Sequence, residues 1–420
     1  MPDPSKVRGA DIPAPIRYLR TSWSTDPFAL GSYSFLPPNP LGPSVRAHLA
    51  SSVGSRLHFA GEATCDEAAS TTAGAVLSGR RAAKEVLSRV GHDRPEESTV
   101  TVVGAGFAGL ACARKLTDEG LRVNVVEARA RVGGRAWTLS VEGMPTDLGP
   151  SWIHGHKGNP MAQLLRAAGG RRHHFDEENV AGRVSEGFRE LERHTRKLDE
   201  LGPPDSTPIS AALPSDPSPA LRYAANTVYA QEYGAEPHEL AVTADREGVG
   251  GHGGDLLLVD GYEQLVSQVR GDLPVRTEAV VTEIRHDAEG TTTVLDTGEE
   301  IRGDHCVVTV PLGVLKAEKI TFRPGLPEDK RNAVETLGMG LLDKLWLWFP
   351  EVFWDTEAHV LEWCDPQDPG LWSWWVNGYR AFGRPVLLGF NGGDHAHALA
   401  TLGDEEVVDS AMDALRRMHA

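Results

Sequence analysis

Cysteine is scarce in this chain. The 420 residues hold four, Cys65, Cys112, Cys306 and Cys364, and no two stand as a C-x-x-C pair. No Cys/His cluster has metal-ligand spacing, which excludes a structural zinc and a disulfide framework, and no metal site is expected. Basic charge is short as well: 42 Lys and Arg against 59 Asp and Glu leave a net charge of -17. That balance excludes a nucleic-acid or anionic-membrane partner and favours encounter with cations, although it also serves plain solubility. Long apolar runs are missing; none approaches the roughly 20 residues that span a bilayer. The opening "MPDPSKVRGADIPAP" has no apolar core of a signal peptide. The expectation is a soluble cytoplasmic protein, monomer or homodimer.

What is present is ordinary for a globular enzyme. Hydrophobic residues make up 40% and charged residues 24%. The length suits two domains. Forty-five glycines and 28 prolines fit a loop-rich α/β protein better than a helical bundle.

The stretch "STVTVVGAGFAGLACARKLTDEGLRVNVVEARARVGGRAWT" reads as one βαβ unit. Residues 99–103 are a β-branched run, as expected of a buried strand. Gly104, Gly106 and Gly109 follow in G-x-G-x-x-G spacing, for a tight turn, for close approach of a pyrophosphate, and for helix-on-strand packing. Leu110, Ala113 and Leu116 form one face of the next helix. Glu127 closes the second strand about 20 residues on, where an acid can bind ribose hydroxyls. A Gly-rich turn alone occurs in many βα units; loop, strand, helix and acid together favour a dinucleotide. "RVGGR" then adds Gly134 and Arg135, backbone amides and a guanidinium near the pyrophosphate. This second loop suggests FAD over NAD; a plain turn with a surface arginine is the alternative.

Three segments, "VVGAGFAGL", "VVEARARVGGR" and "LGPSWIHGHKGNPM", resemble the flavin-dependent amine oxidases, a family of monoamine oxidases, polyamine oxidases and lysine-specific histone demethylases. "WIHG" with "GNP" is most similar to the polyamine and spermine oxidase branch. The family's closing features stand at the front of this chain: "TSWSTDPFALGSYS" at 21–34, "SRLHFAGEAT" at 55–64, and "TTAGAVLSGRRAAKEVLSRV" at 71–90. The resemblance thus implies a circularly permuted order, with polar "GHDRPEES" at 91–98 as the junction. The fold expected is α/β: a Rossmann-like FAD-binding domain over 46–165 and 255–320, its moved segment at 46–90, and its dinucleotide motif from 99. An α+β substrate-binding domain takes 1–45, 166–254 and 321–420.

The resemblance also implies roles. Trp23, Gly61, Glu62, Thr72, Arg129 and Arg135 would contact FAD, and Val281 would lie against the adenine. The helix after "ASTT" has Val76, Ala83, Val86, Leu87 and Val90 on one stripe, with Thr71 and Thr72 as cap candidates. Its N-terminus could face the flavin, although a capped amphipathic helix needs no ligand. In "LLDKLWLWFPEVFW", Lys344 shares a strand face with Leu342, Trp346 and Trp348. Burial there costs several kcal/mol without a partner; an edge lysine reaching solvent is the alternative. By resemblance, Lys344 holds a water against flavin N5.

Tyr33 would form one wall of the amine slot. Thr71 falls where monoamine oxidases carry the second aromatic wall, so the aromatic cage is incomplete. Ser32 replaces the cysteine that attaches flavin in monoamine oxidases, so FAD is expected to be non-covalent. His154 of "WIHG" is the substrate-contact candidate, or a structural histidine in a Gly-rich turn. The implied chemistry is hydride transfer from the amine α-carbon to flavin N5, imine hydrolysis to an aldehyde, and reduction of O2 to H2O2. The expected partners are a small-molecule amine, a polyamine by this reading, and O2. Two alternatives stand: an oxidase of a monoamine, amino acid or biosynthetic intermediate, and an inactive FAD-binding scaffold.

Overall fold

A computed structural model describes residues 9–90, 95–244, 247 and 252–419. Residues 91–94 of the expected junction lie outside that set. The first layer is a five-stranded, fully parallel sheet. Its spatial order is Val275–Arg276, Arg122–Val126, Thr99–Val103, His305–Val308 and Leu57–Phe59. Thr99–Val103 is central, and four of its five residues are buried, as a two-sided parallel strand requires.

Both faces of this sheet are covered. Helices Thr72–Leu87, Phe107–Asp118 and Glu263–Arg270 pack on one face through Val76, Ala83, Leu110, Leu116 and Leu265. Leu110, Ala113 and Leu116 are wholly buried, as are Val76, Ala83 and Val86, while Leu87 and Val90, expected on the same stripe as Val76, are only half-buried against this core. Thr71 caps its helix, accepting from the Gly74 N–H at 3.0 Å. A four-stranded sheet (Glu300–Gly303, Thr291–Leu295, Val281–His286, Thr321–Arg323) covers the other face. Val281 is part of that core, beside Leu57, Phe59 and Val126.

The second large sheet has six strands, in the order Arg17–Arg20, Leu342–Trp348, Val386–Gly392, Trp374–Asn377, Val360–Glu362 and Val180–Ala181. Alternation along Leu342–Trp348 sorts its side chains as expected. Leu345, Leu347 and Phe349 enter a core closed by helix Asp404–Met418, while Trp346 and Trp348 enter a core on the opposite face. Helices Ser44–Ala50, Ser185–Glu200, Pro219–Ala225 and Glu328–Thr336 surround a third core. Among the described residues, no helix is long and apolar enough to cross a membrane, and none of the four cysteines is bonded to another.

Two histidines meet across the parallel sheet. His58 Nε2 and His305 Nδ1 lie 3.2 Å apart, both fully buried. Ser52 and Glu85 adjoin His58, and Arg56 and Asp304 adjoin His305. Burial first, then the charges of His58 and Arg56, lower the His305 pKa to about 4. An unfolded histidine titrates near 6.5. Between these values the unfolded chain binds a proton that the folded chain refuses, so acid in this window destabilises the fold. Thermal melts from pH 7 to 4.5 should show a falling midpoint, and His305→Asn should flatten that fall.

Candidate active site

The βαβ unit forms as its glycines require. Gly104 adopts φ +104°, open mainly to glycine. A Cβ on Gly109 would lie 1.9 Å from the Gly104 carbonyl oxygen, so helix and loop touch backbone to backbone. Gly106 differs. A Cβ there meets no protein atom nearer than 3.9 Å, the nearest being in Gly133 and Gly134. The two Gly-rich loops therefore pack directly on one another: the Gly133 N–H donates to the Ala105 carbonyl at 2.8 Å, and a bridge joins Gly106 to Gly133.

Helix Phe107–Asp118 starts with no side-chain cap. Its first-turn N–H groups thus have no side-chain acceptor at the cap, an arrangement that binds phosphate. Glu127 is 6% exposed and accepts from the Ala105 N–H at 2.7 Å and the Arg129 N–H at 2.9 Å. Its carboxylate braces the loop at the place where a ribose would sit. Gly61 has φ +135° and open space in front of it. Open space before Gly61, a close glycine-to-glycine approach at Gly106, uncapped helix amides and a terminal acid fit a dinucleotide of the FAD type.

Arg129 requires a correction in detail. Its guanidinium is committed to Asp26 by two bonds of 2.8 and 2.7 Å, so its side chain braces the Trp23–Ser32 segment. Only its backbone N–H faces Glu127. Trp23 is buried with Ala29, Leu148 and Leu341, and its N–H donates to Asp343 at 3.1 Å. Arg135 does face the cleft. It donates to the Ser32 carbonyl and to Glu62 Oε1, each at 2.9 Å. Burial raises the Glu62 pKa, but Arg135, Ser34 and Arg46 outweigh it and hold the carboxyl below its ordinary value. Glu62 is therefore an anion. Thr72 opens its helix 3.4 Å from the Tyr262 hydroxyl.

Lys344 is 7% exposed. Its Nζ donates to the carbonyls of Asp147 and Gly149 and to Ser151 Oγ, the last at 2.7 Å. The Trp152 and Phe390 rings lie 5.6 and 5.5 Å from Nζ. Burial holds this amine below the ordinary lysine range, and the nearby Asp147 charge opposes that effect. The edge-lysine alternative is excluded. Asp147 accepts from Thr138 and from the Tyr262 N–H, and burial raises its carboxyl. Trp152 in turn touches Phe175 and Phe390, which with Trp374 make an aromatic wall beside the lysine.

Tyr33 and His154 share a neighbour. The Tyr33 hydroxyl donates to the Glu232 carbonyl at 2.8 Å, and the Glu232 charge acts on both rings. The His154 side chain is 62% accessible, so its ring is open to solvent or to a bound molecule. Its Nδ1 lies 2.6 Å from Asp255 Oδ2. Burial would lower its pKa, but the Asp255 bond and the charges of Glu232, Asp255 and Glu177 raise it to about 9. The Thr71 hydroxyl is taken up locally: it accepts from the Gly74 N–H, which caps its helix, and donates to the Ala68 carbonyl. Sequence reasoning missed Asp147, Asp255, Glu177 and Glu232, because none stands in a motif.

The chain matches the family profile described as flavin containing amine oxidoreductase over residues 1–87, 107–218 and 179–420. Polyamine oxidase 4 of Oryza sativa subsp. japonica is 32% identical over 359 residues, covering 76% of this chain and 72% of that protein. Lysine-specific histone demethylase 1 homolog 3 of Oryza sativa subsp. indica is 31% identical over 373 residues, but the match covers only 46% of its length. Putrescine oxidase bound to putrescine shares the fold at a TM-score of 0.61 and 20% identity, with 77% of this chain and 82% of that one covered. Cyclohexylamine oxidase from Brevibacterium oxydans gives 0.61 and 22%, with 76% and 81% covered. With the two Gly-rich loops, the ribose-site acid and the buried lysine, these matches place the chain in the flavin-containing amine oxidoreductases, as an FAD-dependent enzyme.

Proposed function

We propose that this enzyme oxidises a polyamine or a closely related extended amine. One observation carries the reading beyond the family: the charges of Glu177, Glu232 and Asp255 converge on the exposed His154 ring, and Glu232 also acts on Tyr33. A monoamine presents one positive charge, and an apolar slot serves it. A polyamine presents several, and its distal ammonium groups require acids set back from the reacting carbon. The relatives named polyamine oxidase and putrescine oxidase support the same reading.

FAD, held at the two Gly-rich loops, would accept the hydride and return the electrons to O2. The chain's own residues supply position and field. Lys344, Trp152 and Phe390 form a dry wall with one buried cation. Tyr33 closes the opposite side. The acids hold the charged tail, so a neutral reacting nitrogen can sit in the apolar part. Ser32 makes two hydrogen bonds to Leu342 and offers no thiolate, which supports non-covalent FAD. The order of segments supports circular permutation, and the Gly9 N–H donates to the His419 carbonyl at 2.9 Å, so the described ends touch. Unpaired cysteines support a cytoplasmic setting.

Anaerobic mixing tests the reading. The flavin absorbance should bleach with spermine, spermidine, putrescine or an N-acetylated polyamine, and peroxide should appear when air returns. Bleaching only by aromatic monoamines would overturn it. In Asp255→Asn or Glu232→Gln, KM for a polyamine should rise several-fold, about 1 kcal/mol per lost charge. KM for benzylamine should stay within twofold.

A further inference from the structure

We propose that Arg46, which lies behind the cofactor cleft, is a positioning residue that orders the cleft's Glu62–Arg135 pair through Ser34. The inference rests on FAD occupying the cleft described above. The participants are almost free of water: Arg46 is 0%, Ser34 1%, Glu62 5% and Glu247 5% exposed. Arg46 grips Glu247 at both ends, Nε to Oε1 at 2.6 Å and Nη2 to Oε2 at 2.8 Å. Its remaining nitrogen, Nη1, donates to Ser34 Oγ at 2.7 Å and to the Ala63 carbonyl at 3.2 Å.

The direction of these bonds matters. A guanidinium can only donate, so Ser34 Oγ must accept from it. The hydroxyl has one proton, and that proton is left for Glu62 Oε2 at 2.6 Å. The Ser34 N–H adds a second bond to the same carboxylate at 3.2 Å. Glu62, thereby fixed and anionic, accepts from Arg135, and Arg135 holds the Ser32 carbonyl. Tyr33 sits between Ser32 and Ser34, so the relay fixes both of its neighbours. A buried ion pair is weak evidence for a stabilising role, since apolar replacements often serve as well. An ordering role explains why this pair joins a chain that ends at the cleft. Arg46 is outside every motif, and Glu247 lies 201 residues away.

Three variants test the role: Arg46→Met, Glu247→Gln and Ser34→Ala. Ser34→Ala keeps the Arg46–Glu247 pair and cuts only the relay, so it carries the test if the other two fail to fold. Readouts are FAD affinity of the apoprotein by flavin fluorescence, the flavin midpoint potential, and kcat against KM with spermine. The expected result is roughly tenfold weaker FAD binding, the size of one lost charge-assisted hydrogen bond. The potential should shift to more negative values, because Glu62 is less neutralised, and kcat should fall while KM holds. Arg46→Lys should not restore these values, since an ammonium cannot span Glu247 and Ser34 together. Unchanged FAD affinity and potential in folded Ser34→Ala would overturn the proposal. A folded wild-type protein that binds no FAD would instead overturn the functional reading.

Discussion

Replacing Lys344 by Met should leave a folded, yellow protein whose turnover is lower by two orders of magnitude or more. Met has similar length and no charge, and the site around it is apolar on the Trp152 and Phe390 side. Losing the buried cation relieves its desolvation cost but leaves the Asp147 and Gly149 carbonyls without this donor, so the fold should persist with a lower melting midpoint. The rate should not tolerate it. A preorganised charge in a dry site stabilises developing charge far more than one in water, and single donors of this kind account for about 10²–10³ in rate. Stopped-flow measurement of flavin reduction and of reoxidation in air would show which half-reaction carries the loss. The pH profile gives a second check. Burial holds the Lys344 amine below the ordinary lysine value. The wild-type rate should therefore lose its cation-dependent part at a pH under about 10.4, and that limb should vanish in Lys344→Met. A variant with wild-type rates would show that Lys344 is a structural cation held by its three acceptors.

The second large effect separates two glycines of one motif. Gly109→Ala should fail to fold or melt far lower, because its Cβ would lie 1.9 Å from the Gly104 oxygen and 3.0 Å from the Gly104 carbonyl carbon. Backbone atoms there cannot swing aside, and overpacking costs about 1–3 kcal/mol or more. Gly106→Ala should fold normally, since its Cβ meets nothing nearer than 3.9 Å. The new methyl would stand at the uncapped helix start beside the second Gly-rich loop, where a pyrophosphate would approach the backbone, and exclude it. Calorimetry should thus report a near-native midpoint for the apo Gly106 variant, together with loss of FAD. The reverse pattern would show that this helix start is not the phosphate site.

Local chemistry was legible in the residues, and distant pairing was not. The dinucleotide loop, its helix stripe, the Thr71 cap and the two faces of Leu342–Trp348 follow from periodicity and spacing, and the structure has them. Arg129 was misread in detail because its partner, Asp26, stands 103 residues away. The acids that act on His154 come from three separate segments, and no spacing rule unites residues 177, 232 and 255. Arg46 stands in no motif of the sequence. Only packing shows it fully buried, since a guanidinium enters a core when a distant carboxylate meets it there. Lys344 was the intermediate case. Its apolar neighbours signalled burial, while its acceptors, Asp147, Gly149 and Ser151, lie about two hundred residues earlier and gave no sign.

The parallel sheet has a consequence for synthesis of the chain. Its central strand takes its His305–Val308 neighbour from 205 residues downstream, judged by the Thr99 to Asp304 bond. The edge strand Leu57–Phe59 waits longer, since Arg56 bonds a carbonyl 248 residues on. At about 5–20 residues per second, a ribosome leaves that apolar edge unpaired for roughly 10–50 seconds. The cleft cannot exist before residue 308 has emerged, so FAD cannot guide the early stages of folding and must load late. Leu57 and Phe59 therefore stay exposed to association during synthesis, and expression at low temperature or slow induction should improve the soluble yield.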